Sequence, residues 1–298
     1  MNDTKNRRDF LKILTIGSVG ALTLSKTSMA SSLFAGRNYP AVGIQLYTVR
    51  DALNANAVEA LRKVAQLGYK NLELAGYSNG KFYGMEPSEF KKVVSDLGMT
   101  VISSHTGVEV KGVDTGNAQK MADDHAKIGV KYCIQPWLVP ERRKTADMYK
   151  QFVSELNLVA EVMKKAGIQF GYHNHAFEFE TVDGIVPYYD IYMKNTDPSL
   201  LTFELDIYWA TKAGQDPIEI FKKYPGRFQL WHVKDMEKGP EQFFAPVGSG
   251  TIDYKKIFNH QETSGMKYFF VEQDATRDNK PFDAIKTSID NLKQKILI

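Results

Sequence analysis

Polar side chains able to do chemistry recur where short apolar runs end. Glu73 follows Asn71-Leu72, and His105 follows Val101–Ser104. His173, Asn174, His175 and Glu178 come after Ile168–Tyr172. Asp206 closes Leu201–Leu205, His232 and Lys234 flank Val233, and Glu272 follows Tyr268–Val271. Carboxylates mixed with imidazole suit a divalent cation: oxygens favour Mn or Mg, and nitrogen keeps Zn or Co in range. Taken singly, each residue has a plainer reading. His232 could be a satisfied core histidine, Asp206 a helix cap, Glu272 the start of a solvated loop. Gathered at one place, two carboxylates are costly unless protons or a cation neutralise them. The expectation is therefore one divalent ion, Mn first, with Mg, Co or Zn as alternatives.

The elements that would gather them are legible. From Tyr39 onward eight apolar runs of four to seven residues alternate with segments of helical spacing, such as Val58-Leu61-Val64-Ala65. Gly68, Gly98, Gly129, Gly167 and Gly265 each stand between a helical pattern and the next run, where a left-handed helix cap belongs. Strand–helix alternation with short connections means a parallel sheet. Eight units in one domain-sized stretch predict a single (β/α)8 barrel over residues 40–298, with its active site at the C-terminal ends of the strands. Strand parity supports this placement, because Asp206 lies on the face opposite Phe203 and Leu205. His232 shares a face with Phe228 and Leu230, and Glu272 with Tyr268 and Phe270. The first unit carries no Gly-x-Gly-x-x-Gly, so a dinucleotide-binding domain has no support.

The remaining sequence bounds location and partners. Arg7-Arg8-Asp9-Phe10-Leu11-Lys12, the apolar run Ile13–Leu24 and Ser28-Met29-Ala30 resemble a twin-arginine export signal over residues 1–30, followed by a linker over 31–39. A periplasmic destination and no stable membrane insertion after signal removal follow as expectations. That segment carries five basic and two acidic residues, which accounts for the whole net charge of +3 and leaves 33 of each sign elsewhere. A neutral body argues against a nucleic-acid partner. Cys133 is the only cysteine, so no internal disulfide forms. Homo-oligomerisation is left open.

Tyr172–Phe179, Leu205–Trp209, Trp231–Asp235 and Val271–Asp274 together resemble the xylose-isomerase-like TIM-barrel family, whose members include sugar phosphate isomerases and epimerases, ketose 3-epimerases and inosose dehydratases. The resemblance covers about residues 40 to 296. It implies one divalent ion held by four residues from strands five to eight, three of which fall on Asp206, His232 and Glu272. Many relatives carry Glu at the end of strand five, where this chain has His173. Glu178 resembles the carboxylate used by the subgroup with a His-Asn-His pattern, with His173 or His175 as the rival ligand.

The chemistry such a site permits is deprotonation next to a carbonyl. An ion chelated by adjacent carbonyl and hydroxyl oxygens stabilises the developing enediolate, while Glu178 or Glu272 takes the proton. Return of the proton gives isomerisation or epimerisation of a keto-sugar. Loss of a β-substituent gives a lyase, dehydratase or hydratase on 3-keto-glycosides or inosose-like substrates. Glu73, His105, His173, His175, Trp209 and Lys234 are the expected substrate-binding residues, with Trp137 and Phe177 as apolar faces. Gly248-Ser249-Gly250 reads as a turn rather than a phosphate cradle, which favours a non-phosphorylated sugar. Two other classes compete: an exported sugar-binding protein without catalysis, and an endonuclease acting at abasic DNA. The endonuclease would need more than the six histidines present and a basic groove.

Overall fold

In the computed structural model of the chain, eight parallel strands close into a barrel. They are β1 (Gly43–Gln45), β2 (Asn71–Leu74), β3 (Thr100–His105), β4 (Tyr132–Gln135), β5 (Gln169–His173), β6 (Leu201–Asp206), β7 (Leu230–Val233) and β8 (Tyr268–Val271). Each pairs with its sequence neighbours, and β1 pairs with β8 to close the ring. The structure describes residues 39–106 and 115–298; the segment read as an export signal lies outside them. No helix among the described residues is long and apolar enough to cross a membrane.

Helices α1 (Arg50–Gln66), α2 (Pro87–Asp96), α3 (Thr115–Ile128) and α4 (Ala146–Lys165) lie between successive strands of the first half. Their apolar stripes pack on the outward faces of the strands. Leu61, Phe90, Leu156, Phe203 and Leu205 all belong to that one buried layer. All five junction glycines have positive φ, which lets each helix stop and turn directly into the next strand. The barrel interior is packed separately: Ile102, Tyr132, Ile134, Leu230 and Phe270 form an apolar plug. Directly above that plug, two residues further along the strands, the interior becomes polar.

One irregularity shapes the site. Leu72 pairs with Val101 but Glu73 pairs with Ser103, so Ile102 is an extra residue in β3. Such a bulge reverses the alternation beyond it. Ile102 joins the interior plug, Ser104 bonds outward to His125 on α3, and His105 is delivered to the interior.

Candidate active site and metal centre

Two polar tiers stand over the plug. In the lower tier, His232 Nε2 donates to Glu73 Oε2 at 2.5 Å and lies 3.1 Å from Glu204 Oε2. Glu204 Oε2 also accepts from His105 Nε2 at 2.7 Å and His173 Nδ1 at 3.1 Å. Gln45 Nε2 donates to Glu73 at 2.9 Å. In the upper tier, His232 Nδ1 lies 2.9 Å from Glu272 Oε2 and 3.9 Å from Asp206 Oδ2. Lys234 Nζ sits 3.0 Å from Asp206 Oδ2, 2.7 Å from Glu272 Oε2 and 3.0 Å from Asp274 Oδ2. His232 is thus the post between the tiers, with a carboxylate on each ring nitrogen. Asn174, just after β5, braces this arrangement by accepting from Asp206 N at 3.0 Å.

Burial decides the charges. Glu73, Glu204, Asp206 and His232 are completely buried, and Glu272 is 5% exposed. Burial opposes the charge on His232 and His105, but the surrounding carboxylates outweigh it and raise both imidazoles' pKa. Burial drives His173 and His175 the other way, His175 down to about 3, with other cations nearby adding to the effect. Burial pushes Glu204 up to about 7, with Glu73 adding to it, and Asp274 up to about 6 against the pull of Lys234. With Lys234, His105 and His232 charged, the five carboxylates Glu73, Glu204, Asp206, Glu272 and Asp274 exceed their cations by two. Protons on Glu204 and Asp274 would balance that excess; an ion ligated by His232 would displace its Nδ1 proton and raise the excess to three, which the ion and one carboxyl proton would balance.

The donor set fits such an ion. Ligand atoms of Asp206, His232 and Glu272 all lie within 4.8 Å of one another, as do those of His105, His173, Glu204 and His232. Donors about 2 Å from a shared ion stand about 3 Å apart, so both groups are near the needed spacing. Asp206 Oδ2 is buried without a hydrogen-bond partner, although it is ion-paired with Lys234. A buried carboxylate oxygen that has a cation beside it but no aligned hydrogen bond keeps lone pairs that an ion could use. Above the upper tier opens a cavity of about 610 Å³, within the range of small-molecule sites. His105, His173, His175, Trp209, Lys234 and Glu272 line it, with Trp137 and Phe244 among its apolar walls.

Comparison with known proteins agrees with this architecture. Residues 61–295 match the xylose isomerase-like TIM barrel family. The chain belongs to that family. A solved relative, a sugar phosphate isomerase/epimerase from Parabacteroides distasonis, is 33% identical. The match covers 85% of this chain and 97% of that one, with a TM-score of 0.75. An inosose dehydratase from Geobacillus kaustophilus is 25% identical over 236 residues, 67% of this chain and 74% of that protein. Another, from Clostridium tetani, is 27% identical over 162 residues, 48% of this chain but only 53% of that protein.

Within this xylose isomerase-like barrel, Asp206, His232 and Glu272 come together, but Glu178 does not join them. Glu178 is fully buried in the turn Phe177–Phe179, where Oε1 accepts from Tyr172 OH at 2.7 Å and Oε2 from His175 N at 2.8 Å. Both oxygens hold the β5 loop, and Glu178 belongs to neither ligand group. Burial pushes its pKa up to about 8. The rival His173 is nearer the ion position, with Nε2 3.8 Å from Asp206 Oδ2. Glu73 was expected to touch substrate, yet it lies beneath the cavity and holds His232 instead. Lys234, expected to donate to sugar hydroxyls, reaches the cavity wall with its ammonium committed to three carboxylates. Glu204 went unnoticed in the sequence, although it is two residues before Asp206 and shares its inward face. Gln45 gave no signal of its own.

Proposed function

We propose that this chain is a divalent-metal-dependent sugar isomerase or epimerase that abstracts a proton next to the carbonyl of a keto-sugar. The observation carrying this reading is the convergence of Asp206, His232 and Glu272 beneath an open cavity. Asp206, His232 and Glu272 would hold the ion, His173 being the nearest fourth donor. Mn fits the oxygen-rich set, while Mg, Co and Zn remain compatible with it. When bound, the ion would polarise the sugar's carbonyl and hydroxyl oxygens.

The chain's own residues supply the rest. Glu272 lines the cavity and is held ionised by Lys234 and His232, which outweigh its burial; it is unprotonated and can accept a proton, while the same two cations weaken it as a base. Glu73 receives the Nε2 hydrogen of His232 and leaves Nδ1 facing Asp206 and Glu272. Neutral His175 and Trp209, in ring contact at 5.5 Å, form one wall against the substrate. The backbone N–H groups of Gly248 and Gly250 donate to Asp235 Oδ2 at 2.9 and 3.0 Å. That loop's amides are therefore committed to the protein's own carboxylate, which supports a non-phosphorylated sugar.

The same site supports a second outcome, elimination from a 3-keto-glycoside or inosose-like substrate, which the inosose dehydratase relatives favour. A periplasmic location rests on the twin-arginine-like Arg7-Arg8 segment alone. The deciding experiment incubates the purified protein with ketoses and 3-keto-glucosides in deuterated water, with and without chelator. Deuterium entering next to the carbonyl only when metal is present is the expected result. No uptake across the panel would leave a non-catalytic sugar-binding protein as the better reading.

A further inference from the structure

A second cavity, of about 500 Å³, adjoins the first. The two share Tyr47, Ala75 and Tyr77 as a common boundary, and the second is otherwise walled by the start of α1 and the loop after β2. Its lining combines apolar Leu46, Leu53 and Tyr83 with polar Arg50, Asn54 and Ser78. That is the two-sided character of a pyranose, with C–H faces and hydroxyl edges.

The cavity is built rather than left over. Tyr83 holds φ at +50°, a costly conformation for a bulky residue, and its hydroxyl accepts from Ala75 N at 2.9 Å. Its ring lies so close to Gly76 that a Cβ there would meet Tyr83 Cε1 at 2.2 Å. Arg50 Nη1 donates to Tyr47 O and Asp274 O, both at 3.0 Å, and the guanidinium covers the Tyr47 ring at 4.2 Å. This ties the shared wall to Asp274, which also lines the first cavity and pairs with Lys234. The Tyr47 ring stays 43% exposed at the boundary between the cavities.

We infer that the substrate is a two-ring glycoside: the reacting ring lies over Glu272 and Asp206, and a second sugar ring crosses Tyr47 into the cavity of Arg50, Asn54 and Ser78. This rests on the reading of the first cavity as a sugar site. It extends that reading by naming a disaccharide as the substrate class.

The test measures binding calorimetrically with the full chain, using glucose, a panel of glucose disaccharides covering each linkage, and phenyl glucoside. At least one disaccharide should bind tenfold or more tightly than glucose. Asn54→Trp and Ser78→Trp, which fill the second cavity from opposite exposed walls, should each cut that preference at least fivefold. Thermal melts would confirm that both variants fold. No disaccharide exceeding glucose tenfold, a preference surviving both substitutions, or phenyl glucoside binding more tightly than every disaccharide would overturn the inference. Binding needs no turnover, so the two readings fail separately. A two-ring preference without deuterium exchange sinks the proposed reaction alone, and exchange without the preference sinks this inference alone.

Discussion

Replacing Glu73 by Gln tests whether the lower tier serves the upper one. Glu73 has no access to the cavity, so its contact route to Asp206, His232 and Glu272 is through His232, to which it bonds. Carboxylates that orient a ligating histidine typically contribute about 10–100-fold to metal affinity, or about 1.4–2.7 kcal/mol. The structure places this case near the lower end, because Glu204 Oε2 is already 3.1 Å from the same nitrogen and can take over the hydrogen. Glu73→Gln should therefore weaken Mn²⁺ and Zn²⁺ binding about 10-fold, and Glu73→Gln with Glu204→Gln about 100-fold. Asp206→Ala, which removes a direct donor, should exceed both. Competition against a fluorescent chelator reads the affinities, with thermal melting as the check on folding. The reasoning is refuted if the folded double variant binds metal as tightly as the wild type, or if Asp206→Ala weakens binding no more than Glu73→Gln.

Four further outcomes follow from the same geometry. His173→Ala should lower Mn²⁺ affinity about 10-fold while Glu178→Gln changes it less than about threefold; the reverse order in the same competition assay would restore Glu178 as the fourth ligand. Gly250→Ala would place a Cβ 2.3 Å from Asp235 Oδ1 and 2.4 Å from Met236 O, so urea unfolding should show a loss of about 1–3 kcal/mol. Asp124 is held down to about 2, because Lys120, Lys127 and Tyr77 outweigh its burial. Its folded pKa lies below the unfolded one, so the stability it contributes is present above about pH 4 and lost as pH falls through 2. Asp124→Asn should cost about 1–2 kcal/mol at pH 7, discounted for its exposed lysine partners, and much less near pH 2. Trp137→Ala should weaken sugar binding about 5–10-fold by calorimetry, since Trp137 is 43% exposed and lines the cavity.

The barrel was legible because its signals are local and repeated. Gly68, Gly98, Gly129, Gly167 and Gly265 announce the junctions by a backbone requirement that any one of them shows alone. Strand parity likewise brought Asp206, His232 and Glu272 to one face, since alternation holds wherever a strand is regular. It would have brought Glu204 there as well. At β3 unbroken alternation from Ile102 would have turned His105 outward; the extra residue there reverses it and brings His105 inward. A bulge depends on the pairing of two strands, and no residue of β3 declares it.

The destinations of single polar atoms were decided only in three dimensions. Glu178 has the right chemistry and a promising position in the chain, yet Tyr172 OH and the His175 amide claim both its oxygens. Glu73 ends its strand like the other candidates, but the barrel closes over it and leaves it serving His232. The second cavity arises where the start of α1 meets the loop after β2, segments separated by about one strand–helix unit. Residue types and their period determined which groups the barrel mouth could hold. Which of them face the cavity, the buried cluster or one another depended on distances across the barrel, because hydrogen bonds and ion pairs act over a few ångströms in space and carry no record of separation along the chain.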